Sequence, residues 1–244
     1  MTVGLVVPCF NEAERWDSVY WGDMVERIPA RFLFVDDGSS DATLAKIQQI
    51  AEADNVTLLH LSTNRGKAEA VRVGLLELLS HGSFDGIGYL DADGAFLAAD
   101  VARMLELFEV VKDRSVDALW SSRVALAGRD IRRSTARHYI GRVIATLMSI
   151  GYGSIPYDTQ SGYKIFAATD ELRGCLARPF STRWLFEVEL LARWEALNGS
   201  AMNIREEPLD YWHDVGGSKI HGLETVRVIR EIALTKFEQS RYKQ

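Results

Sequence analysis

Residues 32–61 read FLFVDDGSSDATLAKIQQIAEADNVTLLHL, and this stretch decides the fold class. Residues 32–35 are apolar throughout, as a strand buried on both faces is. Residues 42–53 change period: Leu44, Ile47 and Ile50 recur at helical spacing, with Asp41 placed to cap the first turn. Residues 56–61 return to a mainly apolar run. Strand, helix and strand in so short a compass form a βαβ unit, with a right-handed crossover between parallel strands.

The same alternation extends outward. Residues 3–7 and 87–90 read as further buried strands, and residues 67–79 and 100–112 as helices. Beyond them the pattern is less regular, with strands at 118–121 and 163–166 and helices at 135–150, 183–196 and 223–237. No internal repeat and no Pro/Gly/Ser-rich linker interrupts the chain. The expectation is one α/β domain over residues 1–244, with a mostly parallel central sheet flanked by helices. Ligands of such sheets bind beyond the carboxyl ends of the strands.

Composition narrows the classes. The chain has 244 residues, 47% hydrophobic and 25% charged, which excludes collagenous, low-complexity and largely disordered proteins. Its two cysteines, Cys9 and Cys175, have no CxxC spacing, so neither a disulfide framework nor a cysteine zinc site is expected. The first residues, MTVGLVVP, lack the basic region of a signal peptide. No run approaches the ~18 apolar residues of a spanning helix. A net charge of −6 argues against nucleic acid as a partner. A cytoplasmic location is expected, with at most peripheral attachment to a membrane face.

Polar residues gather after four strands: PCFNE at 8–12, DDGSSD at 36–41, NRGK at 64–67 and DADG at 91–94. Any one of these reads as a turn with a helix cap. Capping explains less well why all four fall at one edge of one sheet. Asp91 and Asp93 are two carboxylates one residue apart at a buried strand's exit, where like charges conflict. A hard divalent cation, Mg²⁺ or Mn²⁺, removes that conflict, and Mg²⁺ takes one or two carboxylates together with substrate phosphates. Neither GxxxxGK[ST] nor GxGxxG occurs, so P-loop and dinucleotide-binding chemistry are not supported. Arg65 and Lys67 stand as candidates for contacts to a donor phosphate.

Taken in order, VVPCFNEAER, VDDGSSD, NRGKAEAV and YLDADG resemble the inverting family 2 glycosyltransferases of GT-A (Rossmann-like) fold. Downstream, YDTQSGYKIF, RWLFEVELL and W-x-x-x-x-GSK resemble the group that contains the dolichyl-phosphate β-glucosyltransferases and related polyprenyl-phosphate glycosyltransferases. The resemblance implies a UDP- or GDP-sugar donor, with residues 1–121 binding it and residues 122–244 forming the acceptor half. It implies that Pro8, Asn11 and Glu12 line the nucleotide pocket and that Asp37 recognises the base. Asp91 is then implied near ribose and metal, and Asp93 on the metal at the diphosphate. Arg123 is implied at a phosphate, and Asp158 at the acceptor with Gln160 and Lys164 nearby. Trp184, Glu187 and Glu189 match the RWxFxxE segment, and Ser218 and Lys219 the phosphate-facing tail. Mannosyltransferase-like relatives carry Gln two residues after the DxD, where this chain has Ala95. A third protein ligand is therefore open between water and His213.

The acceptor is read from charge. A hydroxyl acceptor needs a carboxylate base, for which Asp158 is the candidate, whereas a phosphate acceptor is largely ionised at neutral pH and leaves Asp158 to orient groups or tune charge. Residues 123–142 hold Arg123, Arg129, Arg132, Arg133, Arg137 and Arg142 against the single acid Asp130. At helical spacing, Arg133 and Arg137 continue into Ile140, Ile144 and Leu147. That layout suits a phosphate head with a hydrocarbon tail, or equally a helix packed into the core with its arginines solvated. A polyprenyl phosphate at a membrane surface is the expected acceptor. A soluble enzyme glycosylating a sugar or protein hydroxyl, a nucleotidyltransferase and a non-catalytic nucleotide-sugar-binding homologue are the alternatives. The PCFNEAER loop, standing where nucleotidyltransferases carry glycines, counts against the second of these.

Overall fold

The computed structural model describes residues 2–81, 83–132, 156–183 and 185–213. The expected strand–helix alternation is present. Strands β1 (Val3–Cys9), β2 (Arg31–Asp36), β3 (Val56–His60) and β4 (Gly86–Leu90) are parallel to one another in the order β3-β2-β1-β4. Between them run α1 (Ser18–Arg27), α2 (Thr43–Ile50) and α3 (Lys67–His81), and α4 (Ala98–Val111) follows β4. The sheet continues through β7 (Tyr163–Ala167), β5 (Ala118–Ser122) and β8 (Ile204–Pro208). The short strands β6 (Asp130–Arg132) and β9 (Tyr211–His213) form a separate parallel pair. Helices α5 (Asp170–Leu176) and α6 (Phe186–Asn198), and a 3-10 turn at Lys112–Arg114, complete the described elements.

Both faces of the sheet are buried, which is why its strands read as continuous apolar runs. In β1, Val3, Leu5 and Val7 pack with Trp21, Met24, Val101 and Met104 of α1 and α4. Val6, between them, points to the other face and joins Val71, Leu75 and Leu190 of α3 and α6. Helix α3 lies so close to the sheet that a Cβ on Gly74 would fall 2.6 Å from Val6.

One strand reverses direction. β7 is antiparallel to both neighbours, pairing Leu90 with Tyr163 on one side and Trp120 with Lys164 on the other. The entry to β7 therefore lies at the same edge as the exits of β4 and β5. This brings residues 158–162 beside Asp91 and Arg123, a neighbourhood that a count of parallel strands does not reveal.

Several local expectations need correction. Helix α1 adds to the expected elements: Trp21, Met24 and Val25 are buried at helical spacing, and Asp17 caps the amides of Val19 and Tyr20. Asp41 does not cap α2 from the cap position, which Ala42 occupies. Its Oδ1 accepts from the Thr43 amide (2.9 Å) and its Oδ2 from the Ala13 amide (3.1 Å), joining two loops. The helix expected at 183–196 begins at Phe186. β8 is too charged, and β6 and β9 too short, to show a strand period. The helices expected at 135–150 and 223–237 lie outside the described residues.

At Gly88 in β4, an added Cβ would collide with the backbone carbonyl of Lys164 in β7. Backbone cannot retreat as a side-chain tip can, so Gly88→Ala should lose about 3 kcal/mol of stability. Urea unfolding monitored by circular dichroism checks this.

Candidate active site at the carboxyl edge of the sheet

The loops after β1 and β2 are tied together. Asn11 adopts a left-handed backbone conformation (φ 51°), uncommon outside glycine. Its amide donates to Ser39 Oγ (3.0 Å), and its Oδ1 accepts from the Ser40 amide (2.9 Å). The Glu12 amide donates to Thr43 Oγ1 (2.8 Å), while the Glu12 carboxylate accepts from Arg15 Nη2 at 2.7 and 2.6 Å. Pro8 sits just before these turns, in register with Val35. Asn11 and Glu12 thus build the loop wall together with Ser39, Ser40 and Thr43, and Pro8 lies at its base.

Asp37 reaches toward the third loop. It is 2% exposed, and its two oxygens accept from the amides of Arg65 (2.8 Å) and Gly66 (2.7 Å). Burial raises its carboxyl pKa, against the lowering by those two amides. Gly66, at φ +94°, supplies the turn from which α3 starts. The next residue is Lys67, whose Nζ lies 2.6 Å from Asp91 Oδ1. Asp37 therefore places the lysine that faces the acidic pair. Arg65 lends only its backbone to this contact and is exposed.

Asp91 packs under residues 158–162. Its amide donates to the Gly162 carbonyl (2.9 Å), and a Cβ at residue 162 would overlap its carboxylate. Glycine in DTQSGYK is thus required by close approach. Asp93 accepts from the Ala95 amide (3.1 Å) across Gly94, at φ +72°. Burial, and next the charge of Asp91, holds the Asp93 carboxyl above its ordinary range. Neighbouring carboxylates, with Asp93 desolvated in this way, fit a divalent cation. Among the described residues no third His, Cys, Asp or Glu joins them in a metal-holding group. Ala95 contributes an amide to Asp93, and its side chain is buried. His213 is engaged in the β6–β9 pair, with Nδ1 2.8 Å from the Tyr211 hydroxyl and Nε2 3.0 Å from Asp130. Coordination by two carboxylates, completed by phosphate and water, is what this donor set allows.

Across the antiparallel strand, Arg123 and Asp158 meet each other. Arg123 Nε and Nη2 each donate to one Asp158 oxygen at 2.8 Å, and the Arg123 amide adds a third bond at 3.0 Å. The guanidinium carbon lies 4.9 Å from the Trp212 ring centre. Glu206 accepts from the amides of Tyr157 and Asp158 at 2.6 and 2.9 Å, fixing the turn. Gln160 is exposed on this loop. Glu206 was missed because it lies on a charged strand without a motif; Trp212 opens the W-x-x-x-x-GSK motif, but the motif does not reveal its contact with Arg123.

Lys164 needs correction as a residue facing the acceptor. It is fully buried, and its Nζ donates to the Tyr89 hydroxyl (2.8 Å) and to the carbonyls of Thr159 (3.0 Å) and Ser161 (2.5 Å). Glu187 Oε1 lies 3.3 Å away. On alternating β7, residue 164 points inward, so the ammonium bolts the loop from beneath. Burial lowers its pKa, partly offset by Glu187. Glu189 is likewise structural, accepting from the Ser181 and Thr182 amides and from Arg193. Arg133, Arg137, Trp184, Ser218 and Lys219, and the apolar stripe of Ile140, Ile144 and Leu147, lie outside the described residues.

This edge, with paired acids, a loop-fixed lysine and a clamped arginine, coincides with a family match. The model of glycosyl transferase family 2 matches residues 5–142. The chain belongs to glycosyl transferase family 2. Among family relatives, a dolichyl-phosphate beta-glucosyltransferase of Saccharomyces cerevisiae is 28% identical over 96% of this chain and 74% of its own length. The polyprenol monophosphomannose synthase of Mycolicibacterium smegmatis is 23% identical, covering 89% of this chain and 80% of its own. In fold, glucosyl-3-phosphoglycerate synthase from Mycobacterium tuberculosis, solved with Mn²⁺, uridine diphosphate and phosphoglyceric acid, superposes with a TM-score of 0.67. That match has 16% identity and covers 98% of this chain and 78% of the other. The expected α/β glycosyltransferase fold, with a mostly parallel sheet, is thereby established for this glycosyltransferase.

If Lys164 is a buried bolt, Lys164→Met strands the Glu187 charge and should cost about 3 kcal/mol or more. Replacing both partners, as Lys164→Met with Glu187→Leu, should recover part of that loss. Urea denaturation of the three proteins tests the pairing.

Proposed function

We propose that this glycosyltransferase moves a hexose from a UDP- or GDP-sugar to a polyprenyl phosphate, with inversion at the anomeric carbon. The observation that carries the acceptor is the Arg123–Asp158 pair. Both Asp158 oxygens take hydrogen bonds from the guanidinium, so the carboxylate serves to aim a cation. An aimed guanidinium suits an anionic acceptor, and a phosphate monoester with a second pKa of about 6 arrives already ionised. The names of the curated relatives support the same acceptor class.

In this reading residues 1–121 bind the donor and residues 122–244 form the acceptor half. Pro8, Asn11 and Glu12 line the nucleotide pocket. Asp37 recognises the base from the turn it already stabilises, and Asp91 and Asp93 hold Mg²⁺ or Mn²⁺ at the diphosphate. When bound, the cation supplies Lewis-acid stabilisation to the leaving nucleoside diphosphate. Before the cation binds, Lys67 supplies positive charge on the same side. A phosphate oxygen of the acceptor attacks the anomeric carbon in line. As that bond forms, the bond from carbon to the diphosphate oxygen breaks, and no proton need be removed. Arg123, held by Asp158, orients the attacking phosphate, with Gln160 beside it and Arg133, Arg137, Ser218 and Lys219 as further phosphate contacts. Among the described residues no helix is long and apolar enough to cross a membrane. Contact with the lipid is peripheral in this reading, on the cytoplasmic face, through Ile140, Ile144 and Leu147. Anionic lipid would add about 1 kcal/mol per nearby basic residue.

Asp93→Asn should reduce transfer at least about a hundredfold, with the fold intact by circular dichroism, and EDTA should do the same to the parent enzyme. Released nucleoside diphosphate is the readout.

Arg123→Lys keeps the charge but loses the two-pronged contact, so it should raise KM for polyprenyl phosphate while leaving nucleotide-sugar affinity unchanged. The labelled product should partition into organic solvent. A best acceptor that is a water-soluble hydroxyl compound, with Arg123→Lys silent, would overturn the lipid-phosphate reading.

A further inference from the structure

Lys67 has more than one anion within reach. Its ammonium pairs with Asp91 Oδ1 at 2.6 Å and lies 5.5 Å from the centre of the Tyr89 ring. The Tyr89 hydroxyl donates to Glu187 Oε1 at 2.6 Å, and the Lys164 ammonium lies 3.3 Å from the same oxygen, so both known partners of Glu187 gather on Oε1. Glu187 is 3% exposed, and its second oxygen, Oε2, has no hydrogen-bond partner among the described residues. A buried carboxylate oxygen without a donor is costly, and a group able to satisfy it gains by moving there. Burial opposes the Lys67 charge most strongly. Asp91, Glu187 and Asp93 outweigh that opposition and hold its pKa above the ordinary lysine value.

A divalent cation on Asp91 and Asp93 would repel an ammonium at the same carboxylate. Lysine has a flexible four-carbon stem, and an aromatic face tolerates a passing cation. We propose that Lys67 is a two-position counter-cation, neutralising Asp91 until a divalent metal does so and then crossing the Tyr89 face to the free oxygen of Glu187. Lys67 and Glu187 thereby set the metal affinity without ligating the metal. The inference rests on the reading above that Asp91 and Asp93 hold the metal.

Direct Mn²⁺ titration, following the free-ion signal by electron paramagnetic resonance without nucleotide, separates the possibilities. Lys67→Met removes the competitor and should tighten Mn²⁺ binding about tenfold. Lys67→Arg keeps the competing charge and should remain within about threefold of the parent. Glu187→Gln removes the second position and should weaken binding several-fold. In the Lys67→Met background, Glu187→Gln should then have no effect, since coupled residues are not additive. Tightening by Lys67→Met and its absence in Lys67→Arg can be read even if the Glu187 variant does not fold. Unchanged or weaker Mn²⁺ binding in Lys67→Met overturns the inference alone. A Glu187→Gln effect that persists in the double variant overturns the second position. A parent protein that does not bind Mn²⁺, or binding that survives in Asp93→Asn, overturns the metal reading and this inference with it.

Discussion

The antiparallel pairing of β7 between β4 and β5 is the constraint on which the rest of the site depends. Parallel strands deliver their carboxyl ends to one edge, but they cannot bring a second loop into the gap between two of them. By running backwards, β7 places residues 158–162 against Asp91 on one side and Arg123 on the other. Gly88 and Gly162 permit this closeness, since a side chain at either would strike the opposing strand or carboxylate. The paired acids and the clamped arginine are neighbours for this reason.

Under that junction lies a charged network that packing alone would not favour. Lys164 is taken out of water, yet two loop carbonyls and the Tyr89 hydroxyl share its donors, and Glu187 balances its charge. Such a buried pair adds little net stability compared with apolar residues of the same size. It does fix the direction of the loop carrying Asp158, because acceptors on β4, the loop itself and α6 converge on one ammonium. Tyr89 joins this layer to Lys67 and Asp91, so the two halves of the site share a foundation.

The upper layer is organised by backbone amides. Asp37 holds the start of α3, Asp41 holds the first loop to the second, and Glu206 holds the turn at Asp158. Each uses a carboxylate to gather amides that a loop would otherwise leave to solvent. These acids therefore do structural work at the same edge as the Asp91–Asp93 pair, and residue type alone does not tell which acids are engaged by amides.

Periodicity sufficed for the sandwich of helices about a mostly parallel sheet, because strands buried on both faces are apolar without alternation and α2 and α3 follow a helical repeat. The order of the motifs sufficed for the family, as the match over residues 5–142 and the named relatives bear out. Three-dimensional contacts decided the rest. Whether Lys164 faces solvent or core depends on which side of β7 it occupies, and the motif around it is the same in either case. Whether Asp158 serves as base or clamp depends on Arg123, 35 positions away in the chain and adjacent only through the reversed strand. Local sequence encodes period and capping, whereas the partners of a charge are set by strand direction and register, which only the assembled sheet determines.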